Sequence, residues 1–291
     1  MRGIDVALGI DVGGTKLAAG LVTDAGEVAA RSSAPTPDTD DAEAVFDRLL
    51  AVLDAVGGNG EPGVCGVGCG GPMAPGGEEV SPLNIRAWRG FPLRSRLAAV
   101  TGLDTFVDND AKALALGEGW RGAAAGADHF IAMVVSTGVG GGIVLDGRLL
   151  DGAGGNAGHI GHVIVEPDGR LCACGARGCL EAEASGPSIA AVTGRPPAEA
   201  GPEVVARTGM LVGRAVASVA NLLDLPLAVV AGSVALGFGD PFFAAAQAEI
   251  DERARLDFSA GARIVRAGLG DAGPLVGAAA VGWRGLGRPW R

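Results

Sequence analysis

Cys172, Cys174 and Cys179 place three thiols within eight residues, and His162 adds an imidazole ten residues upstream of the first. Gly175 and Gly178 lie in the gaps and let the backbone turn tightly enough for the sulfurs to converge. Thiolate and imidazole are soft to borderline donors, and a Cys3His set suits tetrahedral zinc. A disulfide is a poor alternative, because cysteines two residues apart bridge badly. Four protein donors would close the coordination sphere, so the expected role is structural rather than catalytic. Cys65 and Cys69 sit on a distant apolar, glycine-rich run and read as packed thiols.

Several further groups could handle phosphate or transfer protons. Asp11 ends an apolar run and precedes Gly13-Gly14-Thr15-Lys16, a turn whose backbone amides could cradle phosphate oxygens. An ordinary glycine hairpin fits the same residues. The spacing is not that of a Gly-x4-Gly-Lys-Ser/Thr loop, which disfavours a nucleotide site of that kind. A second glycine-rich loop runs from Ser136 through Thr137 and Gly138 to Gly142, and Gly232-Ser233 closes a later strand. Asp108-Asn109-Asp110 stands where a strand gives way to a helix, the place where open α/β sheets present ligands. Spacing alone favours helix capping there, and one of the three can cap while another reacts.

The chain has 291 residues, 48% of them hydrophobic, with a mean hydropathy of +0.33, enough for one large or two medium cores. A net charge of −10 argues against nucleic acid as a partner. No run of eighteen apolar residues occurs, so no membrane partner is expected. The start of the chain lacks an apolar signal region, and a cytoplasmic, reducing setting is the expectation. Lys16 and Lys112 are the only lysines.

The periodicities predict strands at Ala7–Asp11, Leu17–Val22 and Val28–Arg31. A helix through Val45, Leu49 and Val52 follows, with Asp40 and Glu43 as a capping box. Strands are predicted at Gly63–Cys69 and Thr105–Val107 and a helix at Ala111–Gly117, with the stretch from Ser81 through Asn84 to Trp88 irregular, either a ligand-facing wall or a surface loop with Trp88 partly buried. Later come strands at Phe130–Ser136, Leu227–Ala231 and Arg263–Arg266, a hairpin at Ile143–Leu150, and helices at Val204–Leu223, Pro241–Ala254 and Gly273–Trp283. The repeated order of strands, glycine turn and helices predicts two similar α/β lobes. The expected partition is 1–111 for the first lobe and 112–273 for the second, with a terminal helix at about 274–291 returning to the first.

Together these motifs resemble the ROK family of sugar kinases, from Leu8 to about Val281, most specifically in the Gly-His…Cys-x-Cys-Gly-x-x-Gly-Cys-x-Glu run. The resemblance implies the actin-like (RNase H-like) ATPase fold, two α/β lobes around an interdomain cleft, and transfer of phosphate from ATP with magnesium to a hexose, often in a homodimer. It implies ATP contacts from Asp11, Gly13, Gly14, Thr15, Lys16, Thr137, Gly138, Gly232 and Ser233, with Asp11 also near magnesium. It implies Asp110 as catalytic base and sugar contacts from Asn84, Asn109, Asp110, His159, His162 and Glu181. The zinc would stiffen the segment that carries His162 and Glu181.

Two positions depart from that pattern. His159 replaces the glutamate of many ROK glucokinases, and Lys112 stands where asparagine is common. A neutral histidine offers one donor and one acceptor, which suits a 2-acetamido carbonyl. The rest, including the stretch from Leu83-Asn84 to Pro92, is similar to glucokinase-like members of the family, so glucose is the first expectation and N-acetylmannosamine, on His159, the alternative. A ROK repressor would carry a winged-helix domain ahead of the strand at Ala7, for which little chain is present. A silent sugar sensor is the other rival, and a retained Asp110 argues against it.

Overall fold

The structure is a computed structural model that describes residues 5–58, 60–288 and 290. The chain forms two compact units. The first comprises 1–125, 151–157 and 268–291, and the second 126–150 and 158–267.

In the first unit, β1 (Val6–Val12), β2 (Lys16–Thr23) and β3 (Val28–Pro35) form an antiparallel meander. Helix α1 (Ala42–Asp54) then crosses to β4 (Cys65–Cys69), and α2 (Leu93–Thr101) leads to β5 (Thr105–Asn109) and α3 (Asp110–Arg121). The sheet order is β3-β2-β1-β4-β5, with β4 and β5 parallel to β1. The N-cap of α1 is Asp41, which accepts from the Glu43 and Ala44 amides, rather than the expected Asp40. Helix α2 and the packing of Trp88 were not legible. Trp88 is fully buried, stacked on Phe91 at 4.3 Å, and donates Nε1–H to the Ala42 carbonyl. It is a core residue, neither a ligand-facing wall nor a surface loop.

In the second unit, β6 (Phe130–Val135), β7 (Val139–Leu145) and β8 (Arg148–Leu149) form another antiparallel meander. Helices α4 (Leu180–Ala184), α5 (Gly186–Thr193) and α6 (Pro202–Leu223) precede β9 (Leu227–Ala231). Helices α7 (Ser233–Phe238) and α8 (Asp240–Arg253) precede β10 (Arg263–Arg266). The order is β10-β9-β6-β7-β8, with β9 parallel to β6 and β10 parallel to β9. Leu211, Val212, Ala215, Val216 and Val219 give α6 the buried stripe that seats it in this unit's core.

Helix α9 (Gly273–Gly285) lies in the first unit. It packs against β1, β4 and α3. Gly66 in β4 makes that approach possible, since a Cβ there would overlap the Ala278 carbonyl oxygen of α9. Helix α3 packs on α9 within the first unit.

Candidate active site

The parallel ladder β1-β4-β5 sets Asp11, Gly68 and Asp108 in register. Glycine at 68 lets α3 come close over β4, since a Cβ there would stand 3.3 Å from the Ala113 Cβ. A Cβ built there would stand 3.6 Å from the Asp110 Cα and 4.0 Å from an Asp11 carboxylate oxygen. Two carboxylates thus share one corner of the first unit. Burial, reinforced by the Asp110 charge and opposed by Lys16, pushes the Asp11 carboxyl up to about 7. Crowded carboxylates of this kind are relieved by a cation or by the proton of a substrate.

The three residues at the end of β5 divide their tasks. Asp108 is committed to ion pairs, Oδ1 with Lys112 Nζ at 3.0 Å and Oδ2 with Arg284 Nη1 at 3.3 Å. Asn109 is the N-cap of α3, its Oδ1 accepting from the Ala111 amide at 3.0 Å. Asp110 opens α3, and its Oδ1 also accepts from the Ala111 amide, at 2.8 Å. A helix N-terminus favours an ionised carboxylate, which is the form a proton acceptor needs.

The turn between β1 and β2 is closed by the Gly13 amide on the Lys16 carbonyl at 3.0 Å, and Thr36 Oγ1 donates to the Gly13 carbonyl at 2.7 Å. Gly14, Thr15 and Lys16 are exposed. Asn84 lies directly on this turn, because a Cβ at Gly14 would overlap the Asn84 Cβ. Asp11, Gly13 to Lys16, Asn84, Asn109 and Asp110 therefore all belong to the first unit.

The other expected residues gather in the second unit. Ser136 N–H donates to the Gly138 carbonyl at 2.9 Å, which closes the β6–β7 turn around Thr137. Gly232 and Ser233 flank this turn, with the Ser136 and Ser233 hydroxyls 2.9 Å apart. Glu181 reaches the same loop from α4, its Oε2 accepting from the Val139 amide at 2.9 Å. Gly158 adopts φ +102°, and a Cβ there would overlap the Gly141 carbonyl oxygen, so the strand passes under the Gly158–His162 segment in direct contact. His159 and His162 follow with ring centroids 6.0 Å apart.

His162, Cys172, Cys174 and Cys179 bring one ligand atom each to within 4.8 Å of one another. Cys172 Sγ lies 3.8 Å from His162 Nδ1, and Cys174 Sγ lies 3.7 Å from Cys179 Sγ. A tetrahedral ion with metal–sulfur bonds of about 2.3 Å has sulfur–sulfur edges of about 3.8 Å, so the four groups fit a metal ion of that size. Burial and the neighbouring thiols push Cys179 up to about 12, while a backbone hydrogen bond at Ala176 and the Cys172 thiol draw Cys174 down. Three thiols packed this closely resist ionising together without a cation. Cys65 and Cys69 are fully buried in the first unit's core.

The sequence profile of the ROK family matches residues 7–283. The chain belongs to the ROK family. It is 40% identical to a glucokinase of Thermotoga maritima over 184 residues, which cover 62% of this chain and 58% of that protein. It is 35% identical to an N-acetylmannosamine kinase of Escherichia fergusonii over 248 residues, covering 80% of this chain and 84% of the relative. The fold superposes with a TM-score of 0.84 on a ROK family glucokinase from Streptomyces griseus in complex with glucose and AMPPNP, at 29% identity, covering 96% of this chain and 99% of that one. The two five-stranded sheets are thus those of the actin-like ATPase fold.

Two features of the site were not anticipated. One is the commitment of Asp108 to Lys112 and Arg284. The other is that residues 151–157 return to the first unit between two excursions into the second. The Asp108–Lys112 pair has the local i,i+4 spacing, but nothing in local spacing named Asp151 or Arg284.

Proposed function

We propose that this ROK protein is an ATP-dependent hexose kinase that transfers the γ-phosphoryl group of ATP to the 6-hydroxyl of a hexose, with glucose as its first substrate. The observation that carries the reading is the division of labour at the end of β5. Asp108 is neutralised by Lys112 and Arg284 and Asn109 caps α3, while Asp110 opens α3 beside the buried Asp11, where a carboxylate can take a substrate proton. The likeness to a glucokinase bound to glucose and AMPPNP supports the substrate pair.

In this reading Asp110 accepts the proton of the 6-hydroxyl as the sugar oxygen bonds to the γ-phosphorus and the bond to ADP breaks. Asn84, Asn109, His159, His162 and Glu181 hold the sugar hydroxyls. Backbone amides of the Gly13–Lys16 and Thr137–Gly138 turns steady the phosphates, and Gly232 and Ser233 meet the adenosine side. Asp11 would hold magnesium, whose preference for one or two carboxylates plus phosphate oxygens it fits; the bound ion would offset charge on the transferring group. His162, Cys172, Cys174 and Cys179 would hold zinc in a purely structural role, fixing the segment that carries His162 and Glu181. The protein acts in the cytoplasm as a homodimer, with no nucleic acid or membrane partner.

N-acetylmannosamine is the second reading, favoured by His159, which can donate to an acetamido carbonyl, and by the relative that bears that name. A coupled ADP-release assay decides, with glucose, mannose, fructose, N-acetylglucosamine and N-acetylmannosamine in parallel. Turnover highest with glucose is the expected result. Highest turnover with N-acetylmannosamine moves the assignment to the second reading. No ADP release with any sugar overturns both and favours a sugar sensor.

A further inference from the structure

Lys112 is one of two lysines in the chain, and its side chain is only 3% exposed. Burying an ammonium is costly unless it is well paired, so its partners matter. Nζ meets Asp108 Oδ1 at 3.0 Å, Asp151 Oδ1 at 2.8 Å and the Gly155 carbonyl at 3.2 Å. Three donors on Nζ find three acceptors, and the group is saturated. Arg284 of α9 completes the ring, with Nη2 on Asp151 Oδ2 at 2.5 Å and Nη1 on Asp108 Oδ2 at 3.3 Å. Two cations and two carboxylates alternate, and three separate stretches of chain meet: the continuous β5–α3 segment, residues 151–157 and α9. All three stretches belong to the first unit.

What the ring holds is more informative than its charge balance. Residues 151–157 form a glycine-rich loop, closed by the Ala157 amide on the Asp151 carbonyl at 2.9 Å. Gly152 and Gly155 both take positive φ there, so the loop has little intrinsic stiffness. Its next residues are Gly158 and His159. Lys112 is also two positions beyond Asp110, and Asp108 Oδ1 accepts from the Asn109 amide at 2.8 Å. One ammonium therefore ties the start of the Asp110 helix to the loop that feeds His159.

Resting on the kinase reading above, we propose that Lys112 is a positioning residue for sugar binding: by clamping Asp151 and Gly155 it fixes the loop 151–157 and with it the approach of His159 to the sugar. Lys112 touches neither substrate. Its loss is felt as weaker sugar binding rather than slower phosphoryl transfer, since Asn109 and the Ala111 amide still set Asp110.

The test compares Lys112→Met, which keeps the length of the side chain, with Asp151→Asn, which perturbs a half-exposed partner and serves if the first variant folds poorly. The expected result is a rise in sugar KM of on the order of tenfold for both variants, with kcat and the KM for ATP within about twofold of the parent, and with the double variant no worse than the poorer single one. Faster amide exchange across 152–157 is expected in both variants, and this readout does not depend on any activity. If the parent phosphorylates no hexose yet exchange accelerates, the clamp stands and the kinase reading falls. If melting temperature drops while sugar KM and loop exchange are unchanged, Lys112 is a structural ion pair only and the proposal is overturned.

Discussion

The two sheets share one topology and differ in chemistry. In each, a first strand lies at the centre, its second and third strands pair antiparallel on one side, and the fourth and fifth run parallel on the other. Val12 pairs with Leu17 across a four-residue turn, and Val135 pairs with Val139 across a three-residue one. One residue before those pairs stands Asp11 in the first sheet and Val134 in the second. The fifth strand ends in Asp108-Asn109 and runs straight into Asp110 of α3 in one case, and ends in Arg266, followed by Ala267-Gly268, in the other. The same strand ends thus carry carboxylates in the first unit, and amides and small hydroxyls around Ser136, Gly138 and Ser233 in the second. Strand order fixes where loops emerge; the side chains placed there decide whether a loop can take a proton or merely hold an anion.

The sharpest way to break this contrast is to remove the acid from the acidic sheet. Asp110→Asn keeps the shape and the Ala111 hydrogen bond but cannot accept a proton at neutral pH. Turnover should fall by about 10^3-fold, within the usual range for a lost general base, while calorimetry still detects sugar binding. Near-normal turnover in Asp110→Asn would show that the carboxylates of the first sheet are not its chemical distinction.

The second unit has its own distinguishing device, the Cys3His cluster, for which the first unit shows no counterpart among the described residues. Purified protein should contain about one zinc per chain, as a single four-ligand site holds one ion. Stripping it with a strong chelator, or replacing Cys179 with Ser, should raise sugar KM by on the order of tenfold, because ligands and their supports set the orientation of His162 and Glu181. Metal-free protein with unchanged KM would remove the structural role of the cluster.

Much of this contrast was legible beforehand. The four residues read from the sequence as a metal clip are the four that the structure gathers into one cluster able to hold a metal ion, because the donors of such a clip lie close in sequence. The glycine turns were visible for the same reason. The residues that failed to announce themselves depend on partners far along the chain. Trp88 is buried by Phe91 and by Ala42, 46 positions away, so from the sequence its stretch reads only as a ligand-facing wall or a loop with the ring partly buried. The role of Asp108 is set by Arg284, 176 positions away, which local spacing cannot reveal. The N-cap of α1 fell one residue from the expected position, since Asp40 and Asp41 are equally good capping residues and only the backbone chooses.

The effect expected on stability concerns Asp11 and pH. Burial and the charge of Asp110 lift its carboxyl from 3.8 to about 7 in the folded chain, while the unfolded chain titrates near 3.8. Between those values the folded protein holds a proton that the unfolded one has shed, so this group's contribution favours folding below about pH 4 and is lost as pH rises towards 7. Asp11→Asn should therefore melt at nearly the same temperature as the parent near pH 4 and be more stable at pH 8, by about 4 kcal/mol at most. Val134→Asn, at the equivalent place in the other sheet, should show no such pH-dependent gain, since it removes no titrating group. Parallel melting curves for Asp11→Asn and the parent across this range would mean that Asp11 is ionised throughout, with its charge already balanced by Lys16. Added magnesium should narrow the difference at pH 8 in the parent's favour, because a cation held by Asp11 stabilises only the folded, ionised form.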